Sequence, residues 1–179
     1  MQRIRSFIAI PFPADIEKSI AKFIGKLSDD QDGIKWLPTE TLHLTLKFLG
    51  DVVSEIEPFD LQFASAQCFP DEERPRQIEI GVNDPTGLLS KLVGSLDVEL
   101  AELGFKRDAR DYRPHLSIGR IKGSRKRAGE AVGKRLQELI EQRAGQMRFG
   151  EMMADHVQLI GSFLDKKGPT YNVMDSIDF

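Results

Sequence analysis

Two short segments of the chain repeat one pattern, 72 positions apart, and each alternates as a β-strand does. Residues 43–46 read HLTL and residues 115–118 read HLSI. Successive side chains of a strand point to opposite faces, so the histidine and the hydroxyl of each segment share one face. The two aliphatic side chains of each segment then face the core. The repeat therefore predicts two strands that each combine a buried face with a face carrying an imidazole and a hydroxyl.

Hydrophobic periodicity predicts helices and further strands around these two segments. Apolar residues recur at helical spacing from Pro13 to Leu27, and Gly104 is a stop signal for a leucine-rich helix. The predicted strands are residues 3–10, 42–49, 59–67, 76–82, 114–121, 152–163 and 170–178, and the other predicted helices are 87–103 and 126–144. This order predicts a single-domain α+β protein of two similar lobes, approximately residues 1–75 and 76–179. It leaves open whether the lobes exchange strands.

Cysteine count, apolar runs and net charge each exclude a class of protein. The single cysteine, Cys68, excludes an intrachain disulfide and a cysteine-based zinc cluster. No apolar run is long enough for a signal peptide or a bilayer span, which predicts a cytoplasmic protein that has no membrane partner. The net charge of −3 argues against a general nucleic-acid binder and predicts that any nucleotide chemistry occurs in a local cleft. We expect a monomer.

Two imidazoles and two hydroxyls around one cleft suit in-line displacement at phosphorus. One neutral histidine can remove a proton from water while the other, protonated, gives a proton to the leaving oxygen. The hydroxyls can hydrogen-bond the non-bridging phosphate oxygens. The third histidine, His156, lies outside the repeat and is interpreted as structural. A metal-dependent hydrolase is an alternative, but no nearby Asp, Glu or His completes a set at ligand spacing, so we predict neither metal nor cofactor.

Longer stretches around both segments carry a family resemblance. They are residues 36–38 (WLP), 41–52 (TLHLTLKFLGDV), 68–70 (CFP), 100–105 (LAELGF) and 112–121 (YRPHLSIGRI). With these stretches the chain resembles the two-histidine phosphoesterase superfamily and, within it, the LigT-like RNA 2′,3′-cyclic phosphodiesterases. The resemblance implies a bilobal pseudo-twofold fold with two antiparallel sheets around a central cleft and helices outside. It also implies metal-independent hydrolysis of 2′,3′-cyclic phosphates, at RNA ends or on small cyclic nucleotides, to 2′-phosphates.

The resemblance further implies a role for each residue of the repeat. His43 would be the general acid at the 3′ leaving oxygen, and His115 the base that activates water. Thr45 and Ser117 would hold phosphate oxygens. Ser117 stands where the family more often has threonine, which keeps the hydroxyl and loses the methyl group that restrains χ1.

Four more residues are predicted to contact the substrate. Arg120 follows His115 by five positions, as in family members that keep an arginine there, and its guanidinium offers two parallel donors to a phosphate. Phe48 stands where the family places an aromatic ring near the base, although strict alternation would turn it into the core. Trp36 and Tyr171 are further candidates for the cleft rim and for base binding.

Some features of the sequence leave alternatives open. Only eight residues, 51–58, lie between Gly50, which closes the first motif strand, and the next strand, too few for the helix that the family usually has there. The basic run at residues 119–127 fits either a solvated loop or an RNA-binding one. Action on 2′-5′ linked RNA, as a phosphodiesterase or a reversible ligase, fits the same residues, and so does a non-catalytic module that binds RNA ends.

Overall fold

The computed structural model describes residues 5–29, 33–39, 42–47, 56–71, 75–102, 104–107, 109, 111–121, 126–143, 145–165 and 168–179. Its elements, in chain order, are β1 (Arg5–Ile10), α1 (Ala14–Leu27), β2 (Ile34–Trp36), β3 (Leu44–Lys47), β4 (Phe59–Phe69), β5 (Gln77–Asn83), α2 (Leu88–Glu102), β6 (His115–Ile121), α3 (Lys126–Glu141), β7 (Arg148–Ala154), β8 (His156–Asp165) and β9 (Gly168–Asp178). Within these residues, the predicted α+β class is confirmed.

The strands form two antiparallel sheets. One has four strands in the order β3-β1-β8-β9, and the other has five in the order β2-β6-β5-β4-β7. Each sheet combines strands from both sides of residue 75, so chain halves and sheets do not coincide. The two repeated segments lie in different sheets, on β3 and on β6 with His43 just before β3.

The structure differs from the predicted strands in two places. Residues 34–36 form β2, which was not predicted because three residues are too short to show a period of two. The single strand predicted at 152–163 is two strands, β7 and β8, which belong to different sheets and are separated by Asp155. No glycine or proline marks this break in residues 152–160, so the sequence reads as one strand.

Apolar faces of the helices and strands meet in one large core. The α1 face predicted from helical spacing is buried at Ile16, Ile20, Phe23 and Leu27, and α2 buries Leu89, Leu92, Val93, Leu96 and Leu100. Leu42, Leu44 and Leu46 of the first repeated segment are buried as predicted, and so are Leu116 and Ile118 of the second. The motif strands are thus anchored on one face. None of the described helices is long and apolar enough to span a bilayer.

An irregularity in β6 changes which face its later residues occupy. Along β5, Ile78 pairs with Gly119 and Glu79 pairs with Ser117, so Ile118 is an extra residue on β6. Such a bulge places two consecutive residues against one partner and shifts the alternation by one. Arg120, an odd number of positions from Ser117, therefore returns to the face of Ser117 instead of the core face.

Candidate active site

The two motif strands meet where the two sheets meet. Strand β3 is the edge strand of the four-stranded sheet, and it contacts β6 of the five-stranded sheet. His43 and His115 are both half-buried. The fold therefore brings the two repeated segments together from sequence positions 72 residues apart.

His43 is surrounded by aromatic rings. Its imidazole stacks on Phe7 with the ring centroids 4.6 Å apart and the planes at 27°, and Tyr171 meets it edge-on at 5.4 Å. Phe7 and Tyr171 form a small apolar cluster with Ala9 and Ile160. Tyr171, predicted at the cleft rim, thus lies directly against a motif histidine and helps to fix the orientation of its ring.

His115 is surrounded by hydrogen-bond acceptors. Its Nδ1 lies 2.7 Å from the backbone carbonyl oxygen of Arg113, and its Nε2 lies 3.5 Å from Oε1 of Glu79. A carbonyl oxygen can only accept, so Nδ1 carries a proton and donates it to this oxygen. The atom left to exchange a proton with a substrate is Nε2, the usual consequence of fixing one ring nitrogen by a hydrogen bond.

Glu79 lies at the centre of a polar network that was not predicted from the sequence. Its side chain is fully buried, and Arg113 Nη2 donates to its Oε2 in an ion pair while Gln77 Nε2 donates to its Oε1. The Arg113 guanidinium also lies over the ring of Phe69, 4.5 Å from the centroid. Period-two alternation of β5 could have placed Glu79 on a polar face, but not opposite Ser117, because that pairing is non-local.

Ser117 and Arg120 lie on the same face of the five-stranded sheet as Glu79. Ser117 is the direct cross-strand neighbour of Glu79, and Arg120 is paired with Gln77 on one side and with Lys35 on the other. Directly opposed residues of an antiparallel pair share a face. Arg120 is exposed, so its guanidinium remains accessible to a phosphate. Ser117, Arg120 and His115 are thus brought together by β6 and its bulge.

The structure places Trp36 away from the histidines and describes Thr45 only in part and Phe48 not at all. Trp36 packs on the opposite face of the sheet, against Gly119, whose hypothetical Cβ would lie 3.1 Å from Cε3 of the indole. That position does not bring Trp36 to the histidines. Thr45 pairs with Ala9 in the sheet, while its side chain, like all of Phe48, lies outside the described residues.

Ionisable groups away from the repeat have structural partners. His156 Nδ1 lies 2.7 Å from Oδ1 of Asp155, and this hydrogen bond holds the pKa of Asp155 below its usual value. Burial, followed by the charge of Asp84, raises the pKa of Tyr112, which stays a neutral phenol in the folded protein. Across the described ranges, no three His, Cys, Asp or Glu side chains are grouped so that they could hold a metal ion.

Comparison with known proteins identifies the family. Residues 10–79 match the family described as LigT like Phosphoesterase. A Methanocaldococcus jannaschii protein named RNA 2′,3′-cyclic phosphodiesterase is 35% identical over 182 residues, covering 96% of this chain and 98% of that protein. A Methanothermobacter thermautotrophicus protein of the same name is 32% identical over 188 residues, covering 97% of each. The structure of E. coli LigT complexed with 3′-AMP has the same fold, with a TM-score of 0.72 at 21% identity over 98% of each chain. The chain belongs to the LigT-like phosphoesterase family.

Proposed function

We propose that this protein hydrolyses 2′,3′-cyclic phosphates of RNA ends or nucleosides to 2′-phosphates, with His43 and His115 as its acid–base pair and without a metal. The observation that carries the proposal is the contact between β3 and β6, because it brings both repeated segments to one place. The names of the two archaeal relatives support the substrate class. The nucleotide monophosphate bound to LigT of E. coli, a phosphate monoester as the product would be, agrees with it.

The reaction needs one proton taken up and one given at the same phosphorus. Water attacks in line with the 3′ oxygen, one histidine accepts a proton from that water, and the other protonates the departing oxygen. The hydroxyl of Ser117 and the guanidinium of Arg120 lie on the face that carries His115, where they can hold the non-bridging oxygens. Thr45 has the corresponding place in the first segment. Tyr171, against His43, is the candidate for contact with the base.

The test is incubation of the protein with adenosine 2′,3′-cyclic phosphate in the presence of EDTA, with the product phosphate assigned by ³¹P NMR. We expect adenosine 2′-phosphate from the wild type. His43→Ala and His115→Ala should each lose about 10²–10⁴-fold in kcat, the usual worth of a positioned acid or base. His156→Ala, the matched control outside the repeat, should retain full activity. The wild-type rate should fall on both sides of an optimum pH, because one histidine must be charged and the other neutral.

Three results would count against the proposal. Equal rates for the wild type and both motif variants would remove the histidines from the chemistry. Activity lost in EDTA and restored by zinc would replace the mechanism with a metal-dependent one. Binding of the cyclic nucleotide without turnover would indicate a module that recognises RNA ends.

A further inference from the structure

A pair of cations extends the candidate site towards one edge of the five-stranded sheet. Along β6, the residues on the face of the site are His115, Ser117 and Arg120. On the far side of β6, Lys35 of β2 pairs directly with Arg120. Directly opposed residues of an antiparallel pair share a face, with their Cβ atoms about 4.5–5.5 Å apart. Lys35 and Arg120 therefore lie side by side on the face that carries the second motif.

Within the described residues, no carboxylate forms an ion pair with Lys35 or Arg120. Both side chains are exposed. Arg113, the other cation near the site, differs from them because the buried carboxylate of Glu79 compensates its charge. Like charges directly opposed on two paired strands are destabilising. Lys35 and Arg120 therefore repel each other, and an anionic ligand that contacts both would remove this cost.

The opposite end of the same face carries exposed carboxylates. The row that contains His115 crosses the sheet from β6 to β7, and its further members are Gly81, Ala64 and Arg148. The next row, on the side away from Arg120, pairs Gln62 of β4 with Glu151 of β7, and Asp60 lies two residues before Gln62 on the same face. Both carboxylates are exposed. A chain of phosphates whose reacting end lies at the motif is therefore attracted towards the two cations and repelled from this end.

We propose that Lys35 binds the phosphate on the 5′ side of the terminal nucleotide of an RNA substrate, and that the RNA chain leaves the cleft across β2. The inference rests on the proposed function, in which Arg120 holds the reacting phosphate. Lys35 begins one β-strand further out, about 4.8 Å away, and its flexible four-carbon side chain can reach the next phosphate of the same chain. Because β2 is an edge strand of its sheet, Lys35 lies at the rim of the site.

A lysine on an edge strand has a second possible role, which the choice of substrate separates from the first. A charged side chain at a sheet edge discourages pairing with another chain. That role requires only a charge on β2, and it gives no preference among nucleotides. Binding of the 5′ phosphate instead requires that the substrate carry a negative charge at one defined position.

The test compares two substrates that differ only in the charge of that phosphate. One is the RNA dinucleotide ApA with a 2′,3′-cyclic phosphate at its 3′ end, and the other is the same molecule with a neutral methylphosphonate linkage. For the wild type we expect a KM about fivefold lower for the charged dinucleotide, the upper worth of an exposed ion pair. The two kcat values should agree, because this phosphate takes no part in bond breaking. The preference should shrink as NaCl is raised.

Variants of Lys35 connect the preference to one side chain. Lys35→Gln should bring the ratio of the two KM values close to 1, whereas Lys35→Arg keeps the charge and should keep most of the preference. Lys35→Thr is a second uncharged variant, with a residue suited to a strand. Arg148→Gln is the matched control, because Arg148 is an exposed cation on the same face at the other edge of the sheet. It should leave the ratio unchanged.

Equal KM values for the two dinucleotides in the wild type would overturn the proposal, as would an undiminished ratio in Lys35→Gln and Lys35→Thr. Loss of the ratio in Arg148→Gln alone would direct the RNA chain across β7 and would overturn the exit across β2. A wild type that cleaves neither dinucleotide would refute the proposed function. The dissociation constants of the two dinucleotide 2′-phosphates, measured by isothermal titration calorimetry, would then test Lys35 by the same ratio.

Discussion

The ion pair between Glu79 and Arg113 should contribute to stability as a unit, and a double-mutant cycle can measure it. The two substitutions are Glu79→Leu and Arg113→Met, which remove each charge while keeping a side chain of similar bulk. Glu79 is fully buried, whereas the Arg113 side chain is 41% exposed. Loss of the arginine therefore leaves a carboxylate that water cannot reach, while loss of the glutamate leaves a cation that can turn towards solvent.

The expected magnitudes follow from this asymmetry. Removing one partner of a buried pair costs about 3–5 kcal/mol, and the exposure of Arg113 and the bond from Gln77 put Arg113→Met at about 3 kcal/mol. Glu79→Leu should cost about 1–2 kcal/mol. The double variant should lose less than the two costs added, with a coupling energy of about 2 kcal/mol, because an apolar pair leaves no buried charge uncompensated.

The assay is urea unfolding at neutral pH, followed by far-UV circular dichroism, on the wild type, both single variants and the double variant. Asp29→Ala is the control, since Asp29 and Arg135 form a 3.6 Å ion pair in which the carboxylate side chain is 55% exposed. Its cost should stay below about 1 kcal/mol. Costs of the single variants that add within about 0.5 kcal/mol in the double variant would show that the buried pair is not coupled and would refute the reasoning.

Two further predictions concern an alkaline transition and a close backbone approach. Burial, followed by the charge of Asp84, raises the pKa of Tyr112. Above about pH 10 the unfolded chain therefore loses the phenolic proton before the folded protein does, and the free energy of unfolding falls as pH rises. In urea titrations at pH 10–11, Tyr112→Phe should make this fall smaller by up to about 1.4 kcal/mol per pH unit. Gly81→Ala should destabilise by about 1–3 kcal/mol, because its Cβ would lie 2.9 Å from the carbonyl oxygen of Ala64. Gly94→Ala in α2, where a Cβ meets nothing within 4 Å, should instead stabilise by up to about 1 kcal/mol. Urea unfolding of both variants compares the two free energies, and equal effects would contradict the steric reason.

The elements that sequence patterns predicted are those that show a period of their own. Helix α1 and the aliphatic faces of both repeated segments follow from local spacing, and the structure buries them as expected. Strand β2 has three residues and shows no period, so only its pairing with β6 defines it. The boundary between β7 and β8 is likewise set by two different sheets and not by any local signal.

The residues of the candidate site also differ in whether local sequence spacing could predict them. His115 and Ser117 were predicted because they lie two positions apart on one strand, where alternation alone puts them on one face. Arg120 reaches that face only through the extra residue in β6, which the sequence of β6 does not reveal. Glu79 could not be connected to His115 at all from sequence, because the connection is a cross-strand pairing between β5 and β6 together with the side chain of Arg113.

Equivalence of the two repeated segments is a property of the sequence and not of the site. Alternation fixes the direction of each histidine side chain, but the neighbouring strands decide what each imidazole meets there. For His43 the neighbours that the structure shows are the rings of Phe7 and Tyr171, which restrain it by packing. For His115 they are the carbonyl oxygen of Arg113 and the buried carboxylate of Glu79. Two like imidazoles from one repeated motif thus meet aromatic rings in one case and oxygen acceptors in the other.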